Sequence, residues 1–254
     1  MLLTIDIGNT NIAMGVFREK ELINHWKLMT DRLKTNDEYG ILLRSLFGQT
    51  DLDREEVGGI IISSVVPPLT PVFQGLCRRL FSPKPLIVGP GLKTGMPILY
   101  EIPHEVGADR IVASVAAFDK YGGPAVVIDF GTATTFDTIS EKGEYLGGAI
   151  APGILIAAEA LYLRTAKLPH VEIRRPRKPI GRTTESSIQS GLYFGYVGLV
   201  KNITAEIKKE LGSNAVVVAT GGFAKKIIQD LAEVDYHEPF LIENGLRILY
   251  ERNS

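Results

Sequence analysis

Hydrophobic positions fall into short unbroken runs near the start and the middle of the chain, with helical stripes between them. Leu2 to Ile7 is mostly apolar and rich in β-formers, which predicts a strand. Asn11 to Phe17 follows a Gly-Asn-Thr turn, and Glu21 to Leu28 follows the polar turn Arg18-Glu19-Lys20. Three consecutive strands with short connections predict an antiparallel meander. Tyr39, Leu42, Leu43 and Leu46 then mark one face of a helix over about Asn36 to Phe47. Gly59 to Val66 reads as a strand covered on both faces, and Pro67-Pro68 stops it. A helix from Leu69 to Phe81 carries Val72, Leu76 and Leu80, and Leu86 to Val88 is a further short strand.

The pattern restarts near residue 125. Ala125 to Phe130 is a buried strand ending in Asp-Phe-Gly, and Thr134 to Ser140 and Tyr145 to Ile150 continue as strands. Ala215 to Thr220 is a later buried strand, followed by Gly221-Gly222 and a helix from Ala224 to Ala232. Ile5-Asp6-Ile7-Gly8 parallels Ile128-Asp129-Phe130-Gly131, and Ile60 to Ser64 parallels Val216 to Thr220. The reading is an internal duplication of an α/β unit, each copy a mixed sheet flanked by helices, with halves at 1–121 and 122–254. A helix from Ser187 to Leu211 stands apart, with Ile188, Leu192, Tyr196, Leu199, Ile203 and Ile207 in its stripe. Gly191, Gly195 and Gly198 would each weaken it by about 1 kcal/mol, so close approach of another backbone is expected, either inside the chain or at a dimer seam.

Composition narrows the function classes. Hydrophobic residues make up 45% and charged residues 22%, and the formal net charge is -1, so a broad basic field for nucleic acid is not expected. The short basic stretch Arg174 to Lys178 is read as a solvated loop. The single cysteine, Cys77, excludes an intramolecular disulfide and reads as a small buried residue. His25, His104, His170 and His237 lie too far apart along the chain for a local metal site. Asp6 interrupts the N-terminal apolar run, and the remaining runs are too short to cross a bilayer; a soluble, cytoplasmic protein is expected.

Three turns carry candidate chemistry. In Asp6-Ile7-Gly8-Asn9-Thr10-Asn11 an apolar strand delivers a carboxylate to a glycine turn. The turn amides suit an anion, and the carboxylate suits Mg²⁺ or its waters; the plain alternative is a hairpin turn with a capping aspartate. Asp129-Phe130-Gly131-Thr132-Ala133-Thr134 repeats the arrangement at the start of the second half. Two such strand ends across a cleft would hold a metal-bound triphosphate. Ala219-Thr220-Gly221-Gly222-Phe223 places a glycine pair between a strand and a helix, with room for adenosine and exposed helix-start amides. Asp109, before a helix from Arg110 to Tyr121, reads either as an N-cap or as a catalytic carboxylate.

In this order the turns resemble the phosphate and adenosine motifs of the sugar kinase, heat-shock 70 and actin superfamily, whose fold is a pair of ribonuclease-H-like (actin-like ATPase) domains. No Walker A sequence is present. Gly107-Ala108-Asp109-Arg110, Tyr100, the Gly147 to Gly153 stretch and Thr183 to Ser186 are similar to the type III pantothenate kinase family. That resemblance implies an ATP-dependent kinase forming 4'-phosphopantothenate from pantothenate, the first step of coenzyme A synthesis. It implies Asp109 as general base, with Tyr100, Gly107, Ala108, Arg110 and Thr184 at the substrate. It further implies Asp6, Gly8, Asn9, Thr10, Asn11, Thr132, Gly221 and Gly222 at ATP, and Mg²⁺ held through water by Asp6. Asp129 would hold a monovalent cation, K⁺ or NH₄⁺, and the protein would be a homodimer. A sugar or acetate kinase, or a nucleotide-binding regulator without catalysis, are the competing readings.

Overall fold

The computed structural model describes residues 1–212 and 214–254. The chain divides into two compact units, one of Met1–Met96, Glu101–Ala116 and Leu241–Ser254, the other of Pro97–Tyr100 and Ala117–Phe240.

In the first unit, strands β1 (Leu2–Ile7), β2 (Asn11–Arg18), β3 (Glu21–Met29), β4 (Gly59–Ser64) and β5 (Leu86–Ile87) form one sheet in the order β3-β2-β1-β4-β5. β1 runs antiparallel to β2 and parallel to β4. All six residues of β1 are buried, which explains its unbroken apolar run. Leu3, Ile5 and Ile7 pack with Tyr39, Leu43 and Phe47 of α1 (Asn36–Gly48) and with Phe73 and Leu76 of α2 (Leu69–Leu80). Thr35 and Glu38 form a reciprocal cap at the start of α1, a device that stabilises a helix by about 1 kcal/mol. Cys77 is fully buried in this core and its thiol is pushed up to about 12 by burial, as befits a packing residue.

The opposite face of the sheet takes α7 (Leu241–Asn253), an element the apolar pattern did not reveal. A side chain at Gly59 would overlap the Tyr250 ring, and one at Gly15 would meet Glu243, so α7 lies across β2 and β4 at glycines. Glu243, buried, pairs with His25 of β3 at 3.0 Å. Gly245 lets α7 approach the backbone of α3 (Ala108–Tyr121), where a Cβ would sit 2.2 Å from the Val112 carbonyl oxygen. The units therefore differ from a division at 121/122: the chain returns to the first unit for its last helix, and α3 passes out of that unit after Ala116.

The second unit repeats the plan with β6 (Ala125–Phe130), β7 (Ala133–Ile139), β8 (Tyr145–Pro152), β9 (Val216–Thr220) and β10 (Tyr236–His237) in the order β10-β9-β6-β7-β8. β6 pairs antiparallel with β7 and parallel with β9, as β1 does with β2 and β4. Asp6 registers with Ser63 and Asp129 with Thr220, so Ser63, not Ser64, is the counterpart of Thr220. The structural repeat is thus offset by one residue from the sequence alignment of these strands. α4 (Ile154–Arg164), also unforeseen, precedes the long α5 (Thr184–Leu211). The helix expected over 224–232 is only α6 (Ala224–Ile227), which tightens into a 3₁₀ turn at Ile228–Asp230. On α5, a Cβ added at Gly191, Gly195 or Gly198 would meet nothing within 4 Å, so packing within the chain does not account for these glycines.

Candidate active site

The site of the first unit grows from the end of β1. Asp6 is 8% exposed and lies between Ala13 and Ser63 in the sheet. By strand alternation its side chain belongs to the α7 face, with Leu2 and Thr4. After β1 the chain turns at Gly8, whose amide donates to the Asn11 carbonyl at 3.0 Å; a Cβ there would sit 3.0 Å from that oxygen. Asn9, Thr10 and Asn11 are exposed at the turn. The loop after β3 braces it. The Thr30 amide donates to the Thr10 carbonyl at 2.9 Å, the Thr30 hydroxyl to the Gly8 carbonyl at 2.7 Å, and Arg32 to Asn9 Oδ1 at 2.9 Å. Sequence reading missed this brace; the only local sign is the Thr-Asp-Arg run between a strand and a helix.

Asp109 comes to the same end of the same sheet. The Val65 amide donates to the Ile7 carbonyl at 3.0 Å, and Val65 would lie 3.6 Å from a Cβ on Gly107. Gly107 carries the helix start: its carbonyl accepts from Arg110 and Ile111 at 3.1 and 3.3 Å. Asp109 is therefore not the N-cap but stands inside the first turn of α3, two residues after Gly107. Its Oδ1 accepts the Arg110 amide at 2.8 Å and folds back so far that a Gly107 side chain would meet it at 2.5 Å. Burial lifts the Asp109 carboxyl above the usual aspartate value; the Arg110 amide and guanidinium pull against that shift without cancelling it.

In the second unit Asp129 ends β6 beside the turn Gly131-Thr132. Gly221, at φ +94°, presses against it: a Cβ would fall 2.2 Å from Asp129 Oδ1 and 2.6 Å from the Phe130 amide. The Phe223 amide closes the loop onto the Phe130 carbonyl at 3.1 Å. Gly153 packs against the Thr132 carbonyl with equally little room, 2.2 Å for a Cβ. Gly222 is open to solvent on its side-chain face. The buried Tyr196 of α5 bonds through its hydroxyl to Thr134, and burial together with the Asp129 charge pushes that phenol up to about 12, against the pull of the Thr134 bond.

Tyr100 and Thr184 also belong to the second unit, in different places. The segment Pro97–Tyr100 bonds alongside Tyr145 of β8, and the Tyr100 ring covers Gly147, 3.3 Å from where a Cβ would be. Tyr145 in turn donates to the buried Asp137 at 2.8 Å. Thr184 is the first residue of α5, and its neighbour Thr183 provides the cap with Ser186. Thr183, Thr184, Arg182, Ile188, Leu161 and Leu168 help line a cavity of about 980 Å³. The basic stretch is partly neutralised: Arg175 forms a two-point pair with Asp230 at 2.7 and 3.0 Å, and Arg174 lies 3.5 Å from Glu185.

Among the described residues no group of three or more His, Cys, Asp or Glu could cage a metal ion, and no helix is long and apolar enough to cross a membrane. Asp6 and Asp129 each bring a single carboxylate to a glycine turn. Such hard oxygen donors fit ions that keep most of their waters or take ligands from a bound phosphate.

A family model described as type III pantothenate kinase matches residues 2–206. A type III pantothenate kinase of Moorella thermoacetica is 54% identical over 254 residues, covering the whole of both chains. Among solved structures, a conserved Campylobacter jejuni protein assigned to the Baf family of transcriptional activators superposes with a TM-score of 0.64 at 19% identity, over 99% of this chain and 98% of that one. MreB 5 of Spiroplasma citri bound to AMPPNP gives 0.53 at 12% identity, over 99% and 96%. The last two share the fold, and both sheets carry the actin-like ATPase plan.

The raised Asp109 carboxyl has a consequence for stability. A group that holds its proton more tightly in the folded than in the unfolded chain costs stability once it must ionise. Asp109→Asn is therefore expected to melt at a higher temperature than the parent at neutral pH. The gain should shrink as pH falls through the folded value and vanish below the ordinary aspartate range. Thermal melts across pH 3 to 8 check this, and a less stable variant at neutral pH would contradict it.

Proposed function

The chain belongs to the type III pantothenate kinase family, and from that premise we propose how its residues carry out the family reaction, ATP-dependent phosphorylation of pantothenate to 4'-phosphopantothenate at the head of coenzyme A synthesis. The observation that carries the assignment of roles is the meeting of the Asp6 turn and the Asp109 turn at one end of one sheet, through Ile7, Val65 and Gly107.

Asp109 is the general base. It accepts the proton of the pantothenate hydroxyl as that oxygen forms its bond to the γ-phosphorus and the bond to the β–γ bridging oxygen breaks. A carboxyl lifted by burial suits the task, because a general base takes a proton more readily as its pKa rises towards the working pH. Gly107 and Ala108 keep the turn narrow, and Arg110 takes the substrate carboxylate, for which a planar guanidinium is matched. Tyr100 and Thr184 complete the substrate contacts.

Gly8, Asn9, Thr10 and Asn11 receive phosphate oxygens through turn amides and side chains. Thr132 contributes a hydroxyl, and Gly221 and Gly222 leave a flat surface for adenosine. Asp6 would hold Mg²⁺ through its waters and Asp129 would hold K⁺ or NH₄⁺; bound there, these ions would supply charge neutralisation for the triphosphate. Phosphoryl transfer depends mainly on such positioning, so the backbone of the glycine turns matters more than any nucleophile of the protein. A cytoplasmic setting, where ATP and pantothenate meet, completes the reading.

The chain is also proposed to act as a homodimer. Supporting this, Ile150, Leu155 and Leu163 on β8 and α4 are 65%, 57% and 64% exposed, and the three glycines of α5 face open space. Exposed apolar side chains and helix glycines that nothing in the chain covers are what a subunit contact would use.

Purified protein should form ADP from ATP only when pantothenate is present, and faster in K⁺ than in Na⁺; no pantothenate-dependent ADP in either salt would remove the proposal. Asp109→Asn should lower kcat by about 10²- to 10⁴-fold, and wild-type turnover would refute the base role. Analytical ultracentrifugation should show a dimer that Leu163→Glu converts to monomer; a monomeric parent would contradict the dimer.

A further inference from the structure

The brace on the Asp6 turn holds a cation whose purpose the roles above leave open. Arg32 stands in the loop between β3 and α1 and donates one guanidinium N–H to the neutral amide oxygen of Asn9, at 2.9 Å. Among the described residues it is paired with no carboxylate. The nearest acidic group on its own loop, Asp31, is already engaged by Lys34 Nζ at 2.9 Å and by the Leu33 amide at 3.0 Å, and these bonds hold its carboxyl below the usual range. The loop backbone is fixed from below. The Tyr39 hydroxyl accepts the Asp31 amide at 3.0 Å and donates to the Asp31 carbonyl at 2.9 Å, while its ring is fully buried against Phe73. Thr30 fastens the near end of the loop to Gly8 and Thr10. An exposed arginine on a free loop would sample many positions. Here the residue before it is anchored to the core, and its side chain is docked on the turn that the proposed function gives to the phosphates of ATP.

We propose that Arg32 is a phosphate-binding residue, whose guanidinium contacts the terminal phosphates of ATP at the Asp6 turn. This rests on the reading of that turn as a nucleotide site. A guanidinium carries five N–H donors and never loses its proton in this range, so one bond to Asn9 leaves donors in a fork that matches phosphate oxygens. The bond to Asn9 orients the fork in advance. In the transfer step Arg32 exchanges no atom: it stays protonated while the γ-phosphoryl passes to the substrate oxygen and the hydroxyl proton passes to Asp109. Its part is to offset charge on the phosphoryl oxygens. The ligand class is the triphosphate end of a nucleotide, and adenosine itself should be indifferent to Arg32.

The test uses the full chain. Arg32→Ala should raise KM for ATP and weaken ADP binding by about ten- to a hundredfold, as expected for loss of a charged hydrogen-bonding group. KM for pantothenate and inhibition by adenosine should stay within about twofold. Arg32→Lys should recover part of the loss, since charge returns without the fork. Asn9→Ala is made alone and together with Arg32→Ala. A direct contact requires the double variant to be weaker than Asn9→Ala alone; equality would mean that Arg32 acts only by holding Asn9, and would overturn the proposal. So would an unchanged KM for ATP, or an equal loss of ATP, ADP and adenosine, which would signal a deformed turn. Parent protein lacking pantothenate-dependent ADP formation would instead overturn the family reaction for this chain, a result separate from the Arg32 comparison.

Discussion

In each sheet one carboxylate is held at the end of the central strand by pairing on both sides. Asp6 sits in register with Ala13 on one flank and Ser63 on the other; Asp129 sits between Thr135 and Thr220. The antiparallel partner forces a tight turn directly after the acid, and the parallel partner arrives with its own loop at the same edge. In the first sheet a Cβ on Gly8 of the hairpin turn would sit 3.0 Å from the Asn11 carbonyl oxygen, and in the second the loop after the parallel strand leaves no space for a side chain at Gly221. The position of the carboxylate is thus a property of the ladder, not of a flexible surface chain. Within the first unit, the brace after β3 and the fold-back of Asp109 over Gly107 are arranged at the Asp6 strand end.

Asp109 illustrates how the same scaffold tunes chemistry. The start of α3 would normally favour an ionised acid, through the helix dipole and the free amides of its first turn. Here desolvation outweighs the Arg110 amide and charge, and the carboxyl is lifted. A buried carboxyl lifted in this way lowers stability once it ionises, and the same shift is what the proposed base role would require. Burial acts in the same direction on Cys77 and Tyr196, both pushed up to about 12, but these groups are neutral at neutral pH and so lose no stability by it; Cys77 only packs, while Tyr196 bonds to Thr134.

Much of this was legible in the chain itself. β1, β4, β6 and β9 are covered on both faces, so they read as unbroken apolar runs, and the two Asp-x-Gly turns follow β1 and β6 directly. The duplication was visible for the same reason, although the copies of the parallel strand are offset by one residue because Ile60 to Ser64 and Val216 to Thr220 are nearly featureless in pattern. α4 escaped notice because apolar residues such as Leu155, Ile156 and Leu163 surround it and give no single stripe. α7 was hidden because its buried face includes Glu243 and Arg247, which read as surface positions. The predicted helix after Gly222 overran, since apolar spacing alone does not mark where α-helix tightens into a 3₁₀ turn. α5 starts at Thr184, three residues before the apolar stripe marked it, because the cap that begins it is made by the polar pair Thr183 and Ser186. The contact of Arg32 with Asn9 spans a hairpin and could not be read from spacing at all.

The central claim is that a carboxyl raised by burial takes the substrate proton. The pH dependence of kcat/KM for pantothenate, at saturating ATP and Mg²⁺ in K⁺, addresses it most directly. The acid limb should follow a single ionisation above the ordinary aspartate value of about 3.9, and the residual activity of Asp109→Asn should lose that limb. A parent profile that stays flat down to the ordinary aspartate range, or a limb that survives unchanged in the variant, would contradict the account.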